Sequence, residues 1–383
     1  MEASSLIFAL LRFEIKETEL CNDAKNSIEA DTLTNLYILS KRHDLAHLVG
    51  DALDKNGLLP DNSEAKKRLL QERNMAVYRY EQMQYEFEQI CVTLEEAKIP
   101  FIPLKGSVIR ALYPEPWMRT SCDIDILVKE EDLLIAVKEL EGTLKYRSES
   151  KGNHDVSLFA ESGVHLELHY KLNDSGQAWD SILTKVWEYS EPKAGFQCIL
   201  MNEMLYFYHI AHMARHFKVG GCGVRSFLDL YFLRKSIIYN KEILTNLLKQ
   251  GGLLTFNEAV CALSDYWFAG GEASPMIQDL QRFVLNAGMY GDMKNRVAIA
   301  RAKKGGTLKV LWSRIFLPYD RLKFQYPRLQ KFPILYPFYI VKRWFKLLKK
   351  ADRERAVQEL NETKSGDKER QAHIARLLKD LDL

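Results

Sequence analysis

The sequence predicts an α+β fold in which a small mixed β-sheet is flanked by N-terminal helices and followed by a mostly helical C-terminal domain. Two observations predict it. Between residues 99 and 170, short apolar or alternating segments typical of strands are separated by short helical patterns. On both sides of that region, apolar residues recur three and four positions apart, which is the period of an α-helix.

Length and composition bound the class of protein. The chain has 383 residues, 47% hydrophobic and 27% charged, which fits an ordinary soluble protein with two or three units. The start, Met1–Ser5, lacks a basic signal region, and no apolar run approaches the roughly 20 residues of a membrane span. Six scattered cysteines favour reduced thiols over disulfides. We therefore expect a cytoplasmic protein.

Taken in order, the elements predict five regions. Helices are expected at 6–11, 33–54 and 64–98, then strands at 99–104, 123–128, 144–147, 155–160 and 164–170 with helices at 107–113 and 131–141 between them, and further helices at 202–218, 224–230, 244–268 and 276–303. The regions are an N-terminal helical region (1–98), an α/β core (99–175), a helical domain (176–306), a basic, aromatic-rich limb (307–350) and a charged helical tail (351–383).

The first motif is a strand that ends in Lys105-Gly106-Ser107, where a helix begins. A glycine allows the backbone to approach a ligand, and the free N–H groups of a helix start bind phosphate. Lys105, Gly106 and Ser107 are therefore expected to bind a nucleotide. Arg119, four residues before Asp123, is expected either to reach the same phosphates or to form a structural ion pair.

The second motif is Asp123-Ile-Asp125, at the start of an apolar strand. Residues two apart in a strand project from the same face, and two buried carboxylates side by side are unfavourable unless a cation neutralises them. Oxygen ligands on a rigid strand suit Mg²⁺, which also takes ligands from substrate phosphates. The sequence thus predicts a metal site at Asp123 and Asp125.

A third carboxylate comes from the alternating segment Val164–Tyr170. Alternation places His165, Glu167 and His169 on one face of a strand. We expect Glu167 to be the third catalytic and metal-binding acid, either as a ligand or as a general base.

Together these motifs resemble the polymerase-β-like nucleotidyltransferase superfamily, and more closely a bacterial family of nucleotidyltransferases described only as uncharacterised. The residues that carry the resemblance are Leu104-Lys105-Gly106, Tyr113-Pro114, Arg119, Asp123–Val128 and Glu167–Tyr170. The gap from Gly106 to Asp123 is longer than is usual in the superfamily. The resemblance implies a nucleotidyltransferase core that moves a nucleoside monophosphate from a triphosphate to a hydroxyl of a small molecule, sugar or protein, with Mg²⁺ or Mn²⁺ as cofactor.

Two alternatives to this function stay open. The chain can be a catalytically inactive nucleotide-binding or scaffolding protein. It can also be a metallohydrolase that uses His165, Glu167 and His169 to bind Zn²⁺ or Mn²⁺.

The expected helices at 202–218 and 224–230 carry a further set of polar residues. His212 and His216 share a helix face with His209, a glycine-rich turn follows, and Arg225 and Asp229 lie four residues apart. One interpretation is a helical hairpin with a histidine seam and a local Arg225–Asp229 ion pair. The other is the far wall of an active cleft, with the candidate residues His169, His212, His216, Arg225 and Asp229.

The limb stands out by its charge. Residues 294–350 contain 16 Lys and Arg residues and one acid, Asp320, whereas the whole chain has a net charge of +3; the remainder therefore carries −12. Residues 309–350 interleave these cations with aromatics, with residues 340–350 as the expected helix. They can pack on the protein, bind an anionic membrane surface or bind nucleic acid. The acidic remainder disfavours nucleic acid.

Overall fold

The computed structural model describes most of the chain. The described residues are 2–16, 19–61, 63–172, 176–289, 291, 295, 296, 299, 316, 317, 319, 322, 326, 328–346 and 368–383. Residues 351–367 of the expected tail lie outside them, as does much of the limb. No helix in the described part of the chain is both long enough and apolar enough to cross a bilayer.

Five helices precede the sheet, in agreement with the expected N-terminal helical region. They are α1 (Ala3–Lys16), α2 (Asn22–Asn26), α3 (Ala30–Arg42), α4 (Ala46–Lys55) and α5 (Glu64–Glu96). The single helix expected over 33–54 is wrong. It is interrupted at Asp44, whose φ of 57° lies in the left-handed region and cannot continue a helix.

Seven strands form one mixed sheet in the order β3-β4-β5-β2-β1-β7-β6. They are β1 (Phe101–Pro103), β2 (Asp123–Val128), β3 (Arg147–Lys151), β4 (Asp155–Phe159), β5 (His165–His169), β6 (Ser190–Ala194) and β7 (Gln197–Leu200). The first five correspond to the expected strands within three residues or less at most ends. A short helix, α6 (Gly106–Ile109), follows β1, and α7 (Leu133–Thr143) follows β2.

The hairpin of β6 and β7 is absent from the expectations, because β6 has no strand pattern and β7 is only four residues long. β6 reads Ser-Glu-Pro-Lys-Ala and is largely exposed, so no alternation of apolar residues indicates it. It forms by antiparallel pairing with β7 across Gly195, whose φ of 54° is the left-handed geometry of a tight turn. Phe101 then pairs with Gln197, which joins the hairpin to the sheet.

Helices cover both faces of the sheet. Ile124, Ile126 and Leu166 point to one face, where they pack with Ile90 of α5 and Leu140 of α7. The opposite face of the sheet, from which Leu127 of β2 projects, belongs to a larger hydrophobic core. Most of the helices contribute residues to this larger core. The later ones are α8 (Asp180–Leu183), α9 (Asn202–Phe217), α10 (Val224–Ser236), α11 (Lys241–Gln250), α12 (Leu254–Phe268) and α13 (Pro275–Ala287).

The last described helices are α14 (Arg328–Lys331), α15 (Tyr336–Lys346) and α16 (Lys368–Asp380). α15 begins four residues before the helix expected at 340–350. α16 belongs to the expected charged tail, yet its apolar residues Ile374, Leu377 and Leu378 are buried in the larger core.

Candidate active site

The centre of the site is the pair of parallel strands β2 and β5. Their register aligns Asp123 with His165 and Asp125 with Glu167. Because side chains alternate along a strand, Asp123, Asp125 and Glu167 all project from one face, where they line a cleft with a volume of about 290 Å³. The three acids that the sequence singles out are therefore neighbours, although 44 positions separate Asp123 from Glu167 in the chain.

The same strands bring two histidines to the acids. Asp123, His165 and Glu167 form one group of potential metal ligands, and Asp125, Glu167 and His169 form another, with all ligand atoms of each group within 4.8 Å of one another. Carboxylate oxygens and imidazole nitrogens are metal ligands of the kind found in catalytic sites. The residues present therefore fit a divalent cation, and Glu167 belongs to both groups.

Asp125 lies at the point where these side chains meet, and it is almost fully buried. Lys105 Nζ is 2.7 Å from Asp125 Oδ1, and His169 Nε2 is 2.8 Å from the same oxygen. Burial by itself raises the pKa of Asp125, but Lys105 and His169 outweigh burial and hold it well below its usual value. Asp125 is therefore ionised at neutral pH.

The other two acids differ in their electrostatic environment. Burial and the neighbouring Asp125 carboxylate raise the pKa of Asp123. The hydrogen bond with His169 lowers the pKa of Glu167, against the effect of burial. For His169 itself, burial lowers the pKa, but Asp125 and Glu167 outweigh burial and raise it. A bound cation would relieve the repulsion that Asp123 experiences.

Lys105 reaches Asp125 from the turn between β1 and α6. Its φ of 42° is unusual for a residue with a Cβ, and such backbone strain is common at functional sites. Burial acts to lower the pKa of Lys105, but Asp125 outweighs it and raises the pKa above the usual value. The lysine is charged and partly exposed in the cleft, so it can also meet a phosphate.

The structure gives a reason for a glycine at position 106 that differs from the approach of a ligand that the sequence suggests. A Cβ at this position would lie 2.6 Å from Arg119 Nη1, so the glycine makes room for the guanidinium of Arg119. Gly106 lines the cleft, whereas Ser107, the second residue of α6, is not among the lining residues. Lys105 and Gly106 thus line the cleft and Ser107 does not; the binding of a nucleotide by these three residues stays a prediction.

Arg119 and Asp229 form a buried ion pair. Arg119 Nη2 is 2.9 Å from Asp229 Oδ2, and the hydroxyl of Tyr113 donates to Asp229 Oδ1 at 2.6 Å. Arg119 also lines the cleft, but Asp229 lies behind it, outside the lining. Arg119 thus forms an ion pair, as one of the two expectations has it, but with Asp229 of α10 and not with the acids of β2; contact with a phosphate stays a prediction. The Arg119–Asp229 ion pair connects α10 to the turn that precedes β2.

Arg225 has a partner from the N-terminal helices. Its Nη1 is 2.5 Å from Asp44 Oδ2 and 3.0 Å from the carbonyl of Thr120, and the Thr120 hydroxyl donates to the same carboxylate oxygen. In place of the local Arg225–Asp229 pair, each residue thus pairs with a distant one. Arg225 lines the cleft.

α9 forms the wall opposite the acids. His212 and His216 line the cleft, with their Nε2 atoms 3.3 Å apart. Burial lowers the pKa of His212 well below its usual value and that of His216 to about 4, so both rings are neutral at pH 7. The cleft-wall interpretation thus matches the positions of His169, His212, His216 and Arg225; their roles stay predictions.

Sequence reasoning missed two further residues of this wall. Tyr208 and Arg215 also line the cleft from α9. Their spacing of four and three from His212 places them on the same helix face, so the helical period could have identified them once His212 was a candidate. Nothing in the sequence could have indicated Asp44, which comes from a different region.

A family model described as uncharacterised nucleotidyltransferase matches residues 29–269. A comparison with curated proteins and one with solved structures each found no match. The matched range includes the strands that carry the acids, the Lys105 turn and the whole of α9 and α10. The chain therefore belongs to this family of uncharacterised nucleotidyltransferases.

Proposed function

We propose that the protein transfers a nucleoside monophosphate group from a nucleoside triphosphate to a hydroxyl of a small molecule, a sugar or a protein, with a divalent cation as cofactor. The observation that carries this proposal is the parallel register of β2 and β5, which gathers three carboxylates on one face of a cleft. Such a cluster is suited to a cation that also holds substrate phosphates.

Each side chain then has a role that its position supports. Asp123, Asp125 and Glu167 would hold Mg²⁺ or Mn²⁺, which when bound lowers the pKa of the acceptor hydroxyl and neutralises charge on the phosphates. Lys105, at the turn that lines the cleft, binds the β- and γ-phosphates of the donor. Glu167, which is ionised because of its lowered pKa, can alternatively accept the proton of the acceptor hydroxyl.

The opposite wall is the place for the acceptor. Tyr208, His212 and His216 present aromatic and neutral polar groups across the cleft from the acids. These groups can hydrogen-bond a hydroxyl and stack on a ring, which favours a compact acceptor over a long polymer. A cytoplasmic location stays a prediction.

The test of this proposal is calorimetric titration with each nucleoside triphosphate, in Mg²⁺ and in EDTA. We expect one triphosphate to bind only with Mg²⁺, and Asp123→Asn to weaken that binding at least about 10-fold, because a metal ligand is lost. Glu131→Gln is the matched control, since it removes an exposed carboxylate outside the cleft. Absence of binding by all four triphosphates would favour the scaffolding alternative.

Turnover is tested best through Glu167. Glu167→Gln keeps the shape of the side chain and is expected to reduce transfer at least about 100-fold. Asp125→Asn is a poorer variant, since it would leave Lys105 beside a neutral amide in a buried site and lower stability as well. If hydrolysis without nucleotide were the activity, it would instead respond mainly to replacement of His165 or His169.

We also propose that the limb attaches the enzyme to an anionic membrane surface. On α15 and the turn before it, Phe332, Ile334, Phe338 and Trp344 are all exposed, and Lys342 is exposed among them. Exposed aromatics beside cations suit the headgroup region of anionic lipids.

Liposome flotation tests the membrane proposal. The protein should float with vesicles that contain anionic lipid and remain at the bottom with neutral vesicles. Phe338→Ser with Trp344→Ser should reduce flotation several-fold, whereas Tyr85→Ser, at an exposed aromatic on α5, should not. Equal behaviour with both vesicle types would refute the proposal.

A further inference from the structure

The two histidines of β5 contain buried polar atoms that the proposed transfer does not use. His165 Nε2 and His169 Nδ1 are buried and have no hydrogen-bond partner among the described residues. A buried imidazole nitrogen without a partner is unfavourable, and each such atom in a folded protein calls for a reason. A role as metal ligand supplies such a reason for His165 Nε2. For His169, the nitrogen that faces the acids is Nε2, which lies 3.5 Å from Glu167 Oε2.

The geometry of the strand places each histidine in a separate group of potential ligands. His165 shares a group with Asp123 and Glu167, and His169 shares one with Asp125 and Glu167, with ligand atoms within 4.8 Å in both. Because Glu167 stands between the two histidines on β5, the two groups adjoin and have that carboxylate in common.

Both rings are held in place by their neighbours. The His165 ring stacks on Phe159 with centroids 4.5 Å apart, and the His169 ring lies over His154 at 5.8 Å. His169 Nε2 also contacts Asp125 Oδ1 at 2.8 Å. Rings fixed in this way can serve as metal ligands with little loss of side-chain freedom.

We propose that His165 and His169 each supply a nitrogen ligand at one of two cation positions that share Glu167, and that the site therefore selects a first-row transition-metal dication over Mg²⁺. This inference concerns the site of the proposed nucleotidyl transfer and rests on it for its catalytic meaning. Mg²⁺ prefers oxygen ligands and gains little from imidazole, whereas imidazole binds transition metals well. Mn²⁺ is a suitable probe because it accepts both carboxylate and imidazole ligands and is paramagnetic.

The first measurement is pulsed electron paramagnetic resonance of Mn²⁺ bound to the wild-type protein without nucleotide. Coupling of the electron spin to imidazole ¹⁴N is the expected result, and its absence overturns the proposal. This measurement needs no variant, so it does not depend on how well a substituted protein folds. Calorimetry on the same sample should give Mn²⁺ binding at least about 10-fold tighter than Mg²⁺ binding.

Variants assign the nitrogen ligands. His165→Ala and His169→Ala should each reduce the ¹⁴N coupling, and the double variant should lose both the coupling and the preference for Mn²⁺. His373→Ala, on α16 and outside the cleft, should retain them. Coupling that persists unchanged in the double variant would mean that other histidines bind the metal, which also overturns the proposal.

These outcomes separate this inference from the proposed function. If Mn²⁺ shows nitrogen coupling but no triphosphate binds, the proposed histidine ligands are supported and the proposed nucleotidyl transfer is refuted. If the protein transfers a nucleotide from a triphosphate with Mg²⁺ and Mn²⁺ shows no nitrogen coupling, the proposed transfer is supported and the proposed histidine ligands are refuted.

Discussion

Glu14 shows how strongly the fold can perturb one side chain. Its carboxylate is fully buried beneath α4, where Lys55 Nζ lies 2.6 Å from Oε1 and 2.9 Å from Asp51 Oδ2. Glu14 Oε2 has no hydrogen-bond partner among the described residues. Burial raises the pKa of Glu14 to about 7, against the attraction of Lys55. Two carboxylates thus compete for one ammonium group.

This pKa makes stability depend on pH in a defined direction. Glu14 binds a proton more tightly in the folded chain, where its pKa is about 7, than in the unfolded chain, where its pKa is about 4.5. Its contribution to stability is therefore greatest at low pH and is lost as the pH rises through 7. In Glu14→Gln this loss cannot occur, so the free energy of unfolding of the variant relative to wild type should rise by about 1 kcal/mol from pH 6 to 8.5.

Urea unfolding at both pH values measures this difference. Glu115→Gln, at an exposed position, serves as the control and should follow the wild-type profile. A constant difference between Glu14→Gln and wild type would show that Glu14 does not titrate in this range. Asp51, whose pKa is lowered by its partners despite burial, does not titrate in the same interval.

At the scale of elements, the charged tail is more than a solvated helix. α16 places Ile374, Leu377 and Leu378 in the larger core, and Leu381, just after the helix, is completely buried there. The charged residues occupy the outer side; Arg376, for example, lies 3.7 Å from Asp279 of α13. The tail helix therefore stabilises the helical region that forms the wall of the cleft.

The contribution of the tail can be measured at Leu381. Leu381→Ala should lower the free energy of unfolding by about 2–4 kcal/mol, because it creates a cavity in a closed core. Glu369→Ala, at an exposed position of α16, should change it by less than about 0.5 kcal/mol. Chemical denaturation measures the free energy of unfolding of both variants. Similar changes in Leu381→Ala and Glu369→Ala would contradict the packing of the tail helix in the core.

At the scale of the whole molecule, buried histidines connect the helical regions. His47 Nε2 is 2.8 Å from the carbonyl of Met118, and His43 contacts both the carbonyl of Leu285 and the amide of Val224. Burial lowers the pKa of His43 to about 4 and that of His47 below its usual value. With folded pKa values of about 4, the rings of His43 and His216 remain neutral in the folded protein well below pH 6.

As the pH is lowered, the protein should therefore unfold at a higher pH than protonation of its carboxylates alone would cause. A histidine with a lowered folded pKa contributes stability above its unfolded pKa of 6.5, and that stability is lost as the pH falls toward the folded value of about 4. We expect His43 and His216 each to account for a loss on the order of 2 kcal/mol between pH 7 and pH 5. Because Glu14 contributes more stability at pH 5 than at pH 7, the measurement is urea unfolding of Glu14→Gln at these two pH values, where that opposing change is removed. An equal free energy of unfolding of Glu14→Gln at both pH values would contradict the lowered pKa of His43 and His216.

Local pattern was sufficient to predict the α+β class, the five strands before residue 170, the common face of Asp123 and Asp125 on one strand and that of His165, Glu167 and His169 on another. These features depend on the period of a strand or a helix, which a few consecutive residues express. The same reasoning would have found Tyr208 and Arg215, which share a helix face with His212.

Contacts between distant residues decided the rest. Strand β6 has no apolar pattern and forms through pairing with β7. Asp229 pairs with Arg119 and not with Arg225, and Gly106 lies against the guanidinium of Arg119, where a Cβ would be 2.6 Å from Nη1. Asp125 meets Lys105 and His169 because β1, β2 and β5 are adjacent in the sheet. Such partners are brought together by burial of apolar surface across the whole molecule, which no segment of the sequence expresses by itself.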